Sequence, residues 1–146
     1  MNLGFIPPPT GTIRSWLDMR ANEEGATISH YFPDAPPLTW TELREGAVKI
    51  AENLSGLGLS KGESVALIMP NSRQGILCLF GVLYGGFRTT IINLVAGAEA
   101  MGYALSHSDA VVILVNDKHL SIWDEARATH EIRAQVLIVG ADIIWP

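Results

Sequence analysis

The sequence predicts an α/β fold: a mostly parallel sheet of about four strands flanked by helices, with an additional N-terminal helix and strand. Three observations predict it. From Ser64 to Val139, apolar segments of strand length alternate with segments of helical periodicity, the order that builds parallel crossovers. The strand-like segments, such as Ser64-Val65-Ala66-Leu67-Ile68-Met69, are runs of apolar residues, the pattern of strands covered on both faces. Finally, 48% of the 146 residues are hydrophobic and only 17% are charged. The charged share lies below the roughly 25% of an ordinary globular domain, so the chain can bury a real core and is not disordered.

Met1 to Gly11 is Pro-rich and reads as a loosely held arm. Ile13, Trp16, Leu17 and Arg20 have helical spacing, predicting a short helix from Thr12 to Ala21. Ala26 to Phe32, with β-branched and aromatic residues, reads as a strand, and Pro33-Asp34-Ala35-Pro36-Pro37 as a loop. Thr39 with Glu42 three residues on is a capping box, and Leu38 with Leu43 a hydrophobic staple. Leu43, Ala47, Ile50, Leu54 and Leu57 then line one helix face, and Gly58 is a good residue to succeed the helix.

Ser64 to Met69 is the first strand of the alternating region, stopped by Pro70-Asn71-Ser72. Asn71 is expected to cap the next helix, with Gln74 reaching back. That helix is apolar nearly all round (Ile76, Leu77, Leu79, Phe80, Val82, Leu83) and should lie buried; Gly85-Gly86 ends it. Arg88 to Ile92 is the second strand, Glu99 to His107 a helix, Val111 to Val115 the third strand, His119 to Arg127 a helix and Gln135 to Val139 the fourth strand.

Composition excludes several functions. The formal charge is −5, from 10 basic and 15 acidic residues, and no basic cluster offsets it, which disfavours nucleic-acid binding. One cysteine excludes an internal disulfide and a multi-cysteine metal site, and fits a reducing, cytoplasmic setting. Met1 to Thr10 lacks the basic and apolar regions of a signal peptide. The longest uncharged stretch, Gln74 to Phe87, is too short to span a bilayer.

Chemistry-bearing motifs are sparse. Gly56-Leu57-Gly58 resembles the front of a dinucleotide fingerprint, but it lacks the third glycine and comes after a helix instead of a strand. A helix C-cap is the better reading for it and for Gly85-Gly86. Lys61-Gly62 reverses the order of a phosphate-binding loop. His30, His107, His119 and His130 show no ligand spacing with one another or with Cys78, and Asp117 with His119 reads as a solvated turn. Cys78 lies in the most apolar helix, where burial makes a thiol inert. No Gly-x-Ser-x-Gly elbow is present, and Asn53-Leu54-Ser55 is a mid-helix match to a glycosylation sequon. Trp16, Trp40, Trp123 and Trp145 read as packing residues.

Leu38-Thr39-Trp40-Thr41-Glu42-Leu43 resembles the early Leu-Thr-Tyr-x-Glu-Leu element of the acyl-adenylate-forming (AMP-dependent synthetase and ligase) superfamily. Later segments match in the same order: Gly58-Leu59-Ser60-Lys61-Gly62-Glu63, Val65-Ala66-Leu67-Ile68-Met69-Pro70-Asn71-Ser72, Leu79-Phe80-Gly81-Val82-Leu83-Tyr84-Gly85-Gly86, Ile91-Ile92-Asn93 and Leu105-Ser106-His107-Ser108-Asp109-Ala110. The resemblance covers about Ala26 to Gly140 and is nearest to fatty or aromatic acyl-CoA synthetases. Two departures stand out. The family often has lysine where Tyr84 stands, and usually a proline after the Asn or Asp where Leu94 succeeds Asn93.

The resemblance implies an ATP-dependent reaction in two halves. A carboxylate and ATP give an acyl-adenylate and pyrophosphate; a thiol then takes the acyl group. ATP, Mg²⁺ and CoA are implied for the parent enzyme and none for this stretch, because the family's phosphate loop, adenine and ribose contacts and mobile lysine lie later in its order. We therefore carry over no catalytic, cofactor-binding or metal-ligating residue. Residues 1–146 read as one partial domain, with an arm at 1–25 and an α/β region at 26–146. The apolar close Ala141-Asp142-Ile143-Ile144-Trp145-Pro146 is unlike a solvated terminus and implies a fragment of a longer protein.

Two other readings stand beside the inactive scaffold of a ligase. One is a free-standing α/β binding or interaction module. The other is a Rossmann-like nucleotide binder, against which the missing glycines count. The partners implied are the remainder of the parent enzyme and, through exposed apolar surface, a second copy of the chain.

Overall fold

The computed structural model describes residues 11–140. Residues 1–10 of the expected arm, and the apolar close at 141–146, lie outside them. Helix α1 (Ile13–Glu24) begins at Thr12, whose side chain accepts from the Ser15 amide while Ser15 caps back. It runs one turn past the expected Ala21. Strand β1 (Ile28–His30) pairs antiparallel with β2 (Leu38–Thr39), a pairing that the sequence pattern does not reveal. The expected Ala26–Phe32 strand shortens to three residues because its partner turns into helix α2 (Trp40–Gly56) directly after Thr39.

The capping box of α2 is present: Thr39 Oγ1 accepts from the Glu42 amide at 3.2 Å, and the Glu42 carboxylate accepts from the Thr39 amide at 2.8 Å. Leu38 and Leu43, the expected staple, are both fully buried. At the other end, Gly58 takes φ +92°. Its amide donates to the Ser55 carbonyl, and the Leu59 amide to the Leu54 carbonyl, which closes the helix as a Schellman motif.

Strand β3 (Ser64–Ile68) is buried along its whole length. Helix α3 (Arg73–Tyr84) is capped by Ser72, whose side chain accepts from the Gly75 amide at 3.1 Å. The cap is thus one residue later than the expected Asn71, because extended backbone at Ser72 (φ −137°) aims its hydroxyl at the third helical amide. The end of α3 repeats the device at the end of α2: Gly86 has φ +80°, its amide reaches the Leu83 carbonyl, and the Phe87 amide reaches the Val82 carbonyl. Strand β4 (Arg88–Ile91), helix α4 (Ala98–His107), strand β5 (Ala110–Asn116), helix α5 (Leu120–Thr129) and strand β6 (Gln135–Val139) complete the alternation. Short 3₁₀ turns precede α4 and α5.

The four strands β3 to β6 form a parallel sheet in the order β4-β3-β5-β6. The first crossover leaves β3 on one side and the next two go to the other. Since such crossovers are right-handed, the reversal carries the later helices to the opposite face. The side chains divide accordingly. Val65, Leu67, Val112 and Leu114 pack in one cluster with residues of α2 and α3. Ala66, Ile68, Ile113 and Val115 pack in another with Met101, Leu105 and Trp123.

The first face carries a second layer. Helix α1 lies against α2 and α3 through an aromatic cluster: the Trp16 and Trp40 rings meet edge-on at 5.2 Å, and Trp16 stacks on Phe80 at 6.3 Å. The His30 ring packs among Phe32, Trp40 and Phe80. Beside it one carboxylate oxygen of Asp18 accepts from Arg44 Nε at 2.8 Å and from the Tyr84 hydroxyl at 2.7 Å. Burial pushes the Asp18 carboxyl up, but the hydrogen bonds from Arg44 and Tyr84, with the charges of Arg44 and Arg14, outweigh it and hold the group below its ordinary value. Tyr84, the departure from the family's lysine, thereby ties α3 to α1 at the same oxygen through which Arg44 ties α2 to α1.

This packing can be probed in two ways. A methyl at Gly81 would run into the Ile50 side chain where α2 crosses α3. Gly81→Ala is expected to cost about 1–3 kcal/mol by overpacking, read from urea midpoints; an unchanged midpoint contradicts the close approach. The second prediction concerns pH. Burial lowers the pKa of His30, so folding favours its neutral form, and stability falls as pH drops below about 6.5. Glu42, held low by the Thr39 hydrogen bonds, and Asp18 contribute stability above their unfolded value of about 4, lost as pH falls further. The urea midpoint is therefore expected to fall in two steps on acidification, with His30→Phe removing the first. A midpoint that rises on acidification contradicts the assignment.

Candidate functional site

In an open parallel sheet, a crevice forms at the carboxyl ends of two neighbouring strands whose onward connections go to opposite faces. Here those strands are β3, which leads into α3, and β5, which leads into α5. The structure has a cavity of about 480 Å³ at that place, lined by Phe32, Pro36, Asn71, Arg73, Gln74 and Lys118 among others. It is the candidate functional site.

Local sequence builds its walls. Pro70 ends β3 without offering an amide, and Ser72 opens α3 directly after it. Gly75 lets the first turn of α3 close onto the strand end, since a methyl there would run into the Pro70 carbonyl. Across the crevice Asn116, the last residue of β5, is buried, and its side chain accepts from the Lys118 amide at 3.1 Å and contacts His119 Nδ1 at 2.9 Å. That cap turns the chain into the 3₁₀ turn Asp117–His119 and sets Lys118 on the rim. The loop carrying Phe32 to Pro36 forms the third wall.

The electrostatics are those of a binding surface. Arg73 and Lys118 supply positive charge beside the first turn of α3, and Asp34 faces them from the loop. The charge of Arg73 also reaches Glu42 and helps hold its carboxyl low, after the larger effect of the Thr39 hydrogen bonds. Arg73 Nε is buried and has no hydrogen-bond partner among the described residues. Such a rim can hold an anionic or polar group. The lining includes Ser72, whose oxygen is engaged by the Gly75 amide as the helix cap.

The residues singled out in the sequence fall elsewhere. Gly56, Gly58, Gly85 and Gly86 terminate α2 and α3 at the opposite end of the sheet. Cys78 is fully buried, and burial pushes its thiol up to about 12, which makes it inert. Asp117 and His119 sit in the 3₁₀ turn, where His119 contacts Asn116. Among the described residues, no group of three or more His, Cys, Asp and Glu side chains could hold a metal ion. Trp16 and Trp40 pack together and Trp123 packs in the other core; Trp145 lies outside the described residues. Asn53 is within α2. Arg73 and Lys118 escape a reading of the sequence as neighbours, because only the strand order brings the ends of β3 and β5 together.

Comparison with known families matches residues 17–144 to the family described as AMP-binding enzyme. A long-chain-fatty-acid–CoA ligase of Bacillus subtilis is 29% identical over a 134-residue alignment that covers 85% of this chain and 24% of the relative. The 2-succinylbenzoate–CoA ligase of a Geobacillus species is 30% identical over 107 residues, 73% of this chain and 22% of the relative. Among solved structures, the N-terminal domain of FACL13 from Mycobacterium tuberculosis superposes with a TM-score of 0.80 at 26% identity, covering 90% of this chain and 34% of that one. The chain thus spans between 14% and 24% of the length of the curated relatives it matches first. The match begins before the expected Ala26, taking in part of α1.

Proposed function

This chain belongs to the AMP-binding enzyme family, and on that premise we propose that it is the supporting first part of an ATP-dependent acyl-CoA synthetase. Residues 1–146 then form one partial domain of the parent. The parent activates a carboxylic acid as its adenylate and passes the acyl group to a thiol, using ATP, Mg²⁺ and CoA bound by segments outside this stretch. The role of this chain is to hold the sheet and present the β3/β5 crevice toward those segments. The observation that carries the reading is the superposition of nine-tenths of the chain on one third of the FACL13 N-terminal domain.

The sides of β4 and β6 left unpaired among the described residues, and the exposed side chains of Ile91, Val95 and Ile138, fit a sheet that continues into the rest of a larger domain. They also support self-association of the isolated chain. No described helix is long and apolar enough to cross a membrane, and a cytoplasmic setting agrees with the single buried thiol.

Pyrophosphate exchange tests the proposal. With ATP, Mg²⁺ and a panel of fatty and aromatic acids, the 146-residue chain is expected to exchange no labelled pyrophosphate into ATP above background. A longer polypeptide that continues this sequence through a phosphate-binding loop is expected to exchange it in an acid-dependent way. Acid-dependent exchange by the short chain alone contradicts the scaffold role; a longer polypeptide that never exchanges contradicts the ligase reading.

A further inference from the structure

At the end of the sheet opposite the crevice, a second cavity of about 550 Å³ opens between α1, α2 and the end of α3. Three cationic side chains, Arg14, Arg44 and Lys61, stand around it, and its floor includes Val48, Leu59 and Phe87. In a chain of net charge −5, this concentration of positive charge over an apolar floor asks for an explanation. Glu52 is the acidic residue in the lining, and Asp18 beside it is already engaged by Arg44 and Tyr84. Arg14 and Lys61 form no ion pair among the described residues, although the charge of Arg14 reaches the Asp18 carboxylate.

The cavity is held in shape by contacts that do not involve a ligand. Asp18 fixes the Arg44 guanidinium and the Tyr84 ring through one oxygen. The Arg14 guanidinium lies over the Tyr84 ring at 5.0 Å from its centroid, a cation–π arrangement that orients it. Below, two turns are locked together: the Gly62 amide donates to the Gly86 carbonyl at 2.9 Å, and the Arg88 amide and Nε donate to the Glu63 and Gly62 carbonyls at 2.9 and 2.7 Å. The Lys61 stem runs beside Gly86, with 3.6 Å between its Cγ and the place a methyl on Gly86 would occupy. The Schellman turn that ends α3 and the Ser60–Glu63 turn bonded to it thus serve as the frame that sets Lys61 at the cavity mouth.

We propose that this cavity is a binding site for a small organic oxyanion, a phosphate monoester or carboxylate carried on a compact apolar body. A guanidinium presents paired N–H groups that match the oxygens of either anion, the lysine adds a mobile positive charge, and the floor receives the body. The volume is in the range of small-molecule sites. The site is separate from the β3/β5 crevice and does not depend on the ligase reading.

Amide NMR titration of the 146-residue chain tests the proposal, with phenyl phosphate and phenylacetate as the two anions, and phenol and inorganic phosphate as probes that each lack one half. Saturable shifts are expected at Ser55, Leu59, Lys61 and Gly85 with at least one of the organic anions, and the tighter of the two identifies the class. Phenol and inorganic phosphate are each expected to bind about tenfold more weakly or worse. Arg14 and Lys61 are both exposed, so a variant combining Arg14→Ala and Lys61→Ala is expected to keep the rest of its spectrum and to lose about tenfold in affinity. Shifts that map to the crevice instead, that are as strong with phenol, or that survive the double substitution overturn the proposal. So does the absence of saturation with both anions.

Discussion

The burial of β3 on both faces is the constraint on which the rest of the structure depends. A strand of apolar residues with no polar face cannot rest on one layer of helices. Val65 and Leu67 point to one side and Ala66 and Ile68 to the other, so both sides must be covered. The chain meets this requirement by reversing direction after its first crossover, which sends α3 to one face and α4 and α5 to the other. The same reversal parts the connections that leave β3 and β5 and so creates the crevice between their ends. A site for binding is in this sense a by-product of covering a strand.

The side of the sheet that carries α2 and α3 is thicker than the other because α1 and the β1–β2 pair lie on it as well. The close crossing at Gly81, the Trp16–Trp40–Phe80 contacts and the Asp18–Arg44–Tyr84 junction bind that layer. Each end of the sheet then has a distinct character. At the carboxyl ends of the strands, Ser72 and Asn116 cap the turns after β3 and β5 and set out Arg73 and Lys118. At the amino ends, glycine turns close two helices and frame the cavity of Arg14, Arg44 and Lys61.

Much of this is legible in the sequence, for reasons that differ by element. Strand β6 is legible to its ends at Gln135 and Val139 because a short apolar run between Gln135 and Gly140 leaves few alternatives. The Thr39–Glu42 box and the Gly58 ending of α2 are legible because capping chemistry is local. The pairing of β1 with β2 is not, since a two-residue strand has no periodicity to see. Neither is the shift of the α3 cap from Asn71 to Ser72, which turns on a backbone angle and not on which side chain can accept. The role of Tyr84 and the meeting of Arg73 with Lys118 depend on contacts between distant segments, which a single sequence does not display. The resemblance to the adenylate-forming family is carried by the order of many weak pieces, and the family match from residue 17 to 144 bears it out.

As the proposed framework of a ligase, this chain leaves its chemistry to be completed by further sequence. The most direct test is the length of the native polypeptide, read from its intact mass or from the gene beyond the codon for Pro146. The framework role predicts a polypeptide several hundred residues longer, with a Ser/Thr/Gly-rich loop for phosphate soon after this domain. A native polypeptide that stops at Pro146 contradicts it, because adenylation would then have no phosphate-binding parts and the fold would have to act as a binding module in its own right.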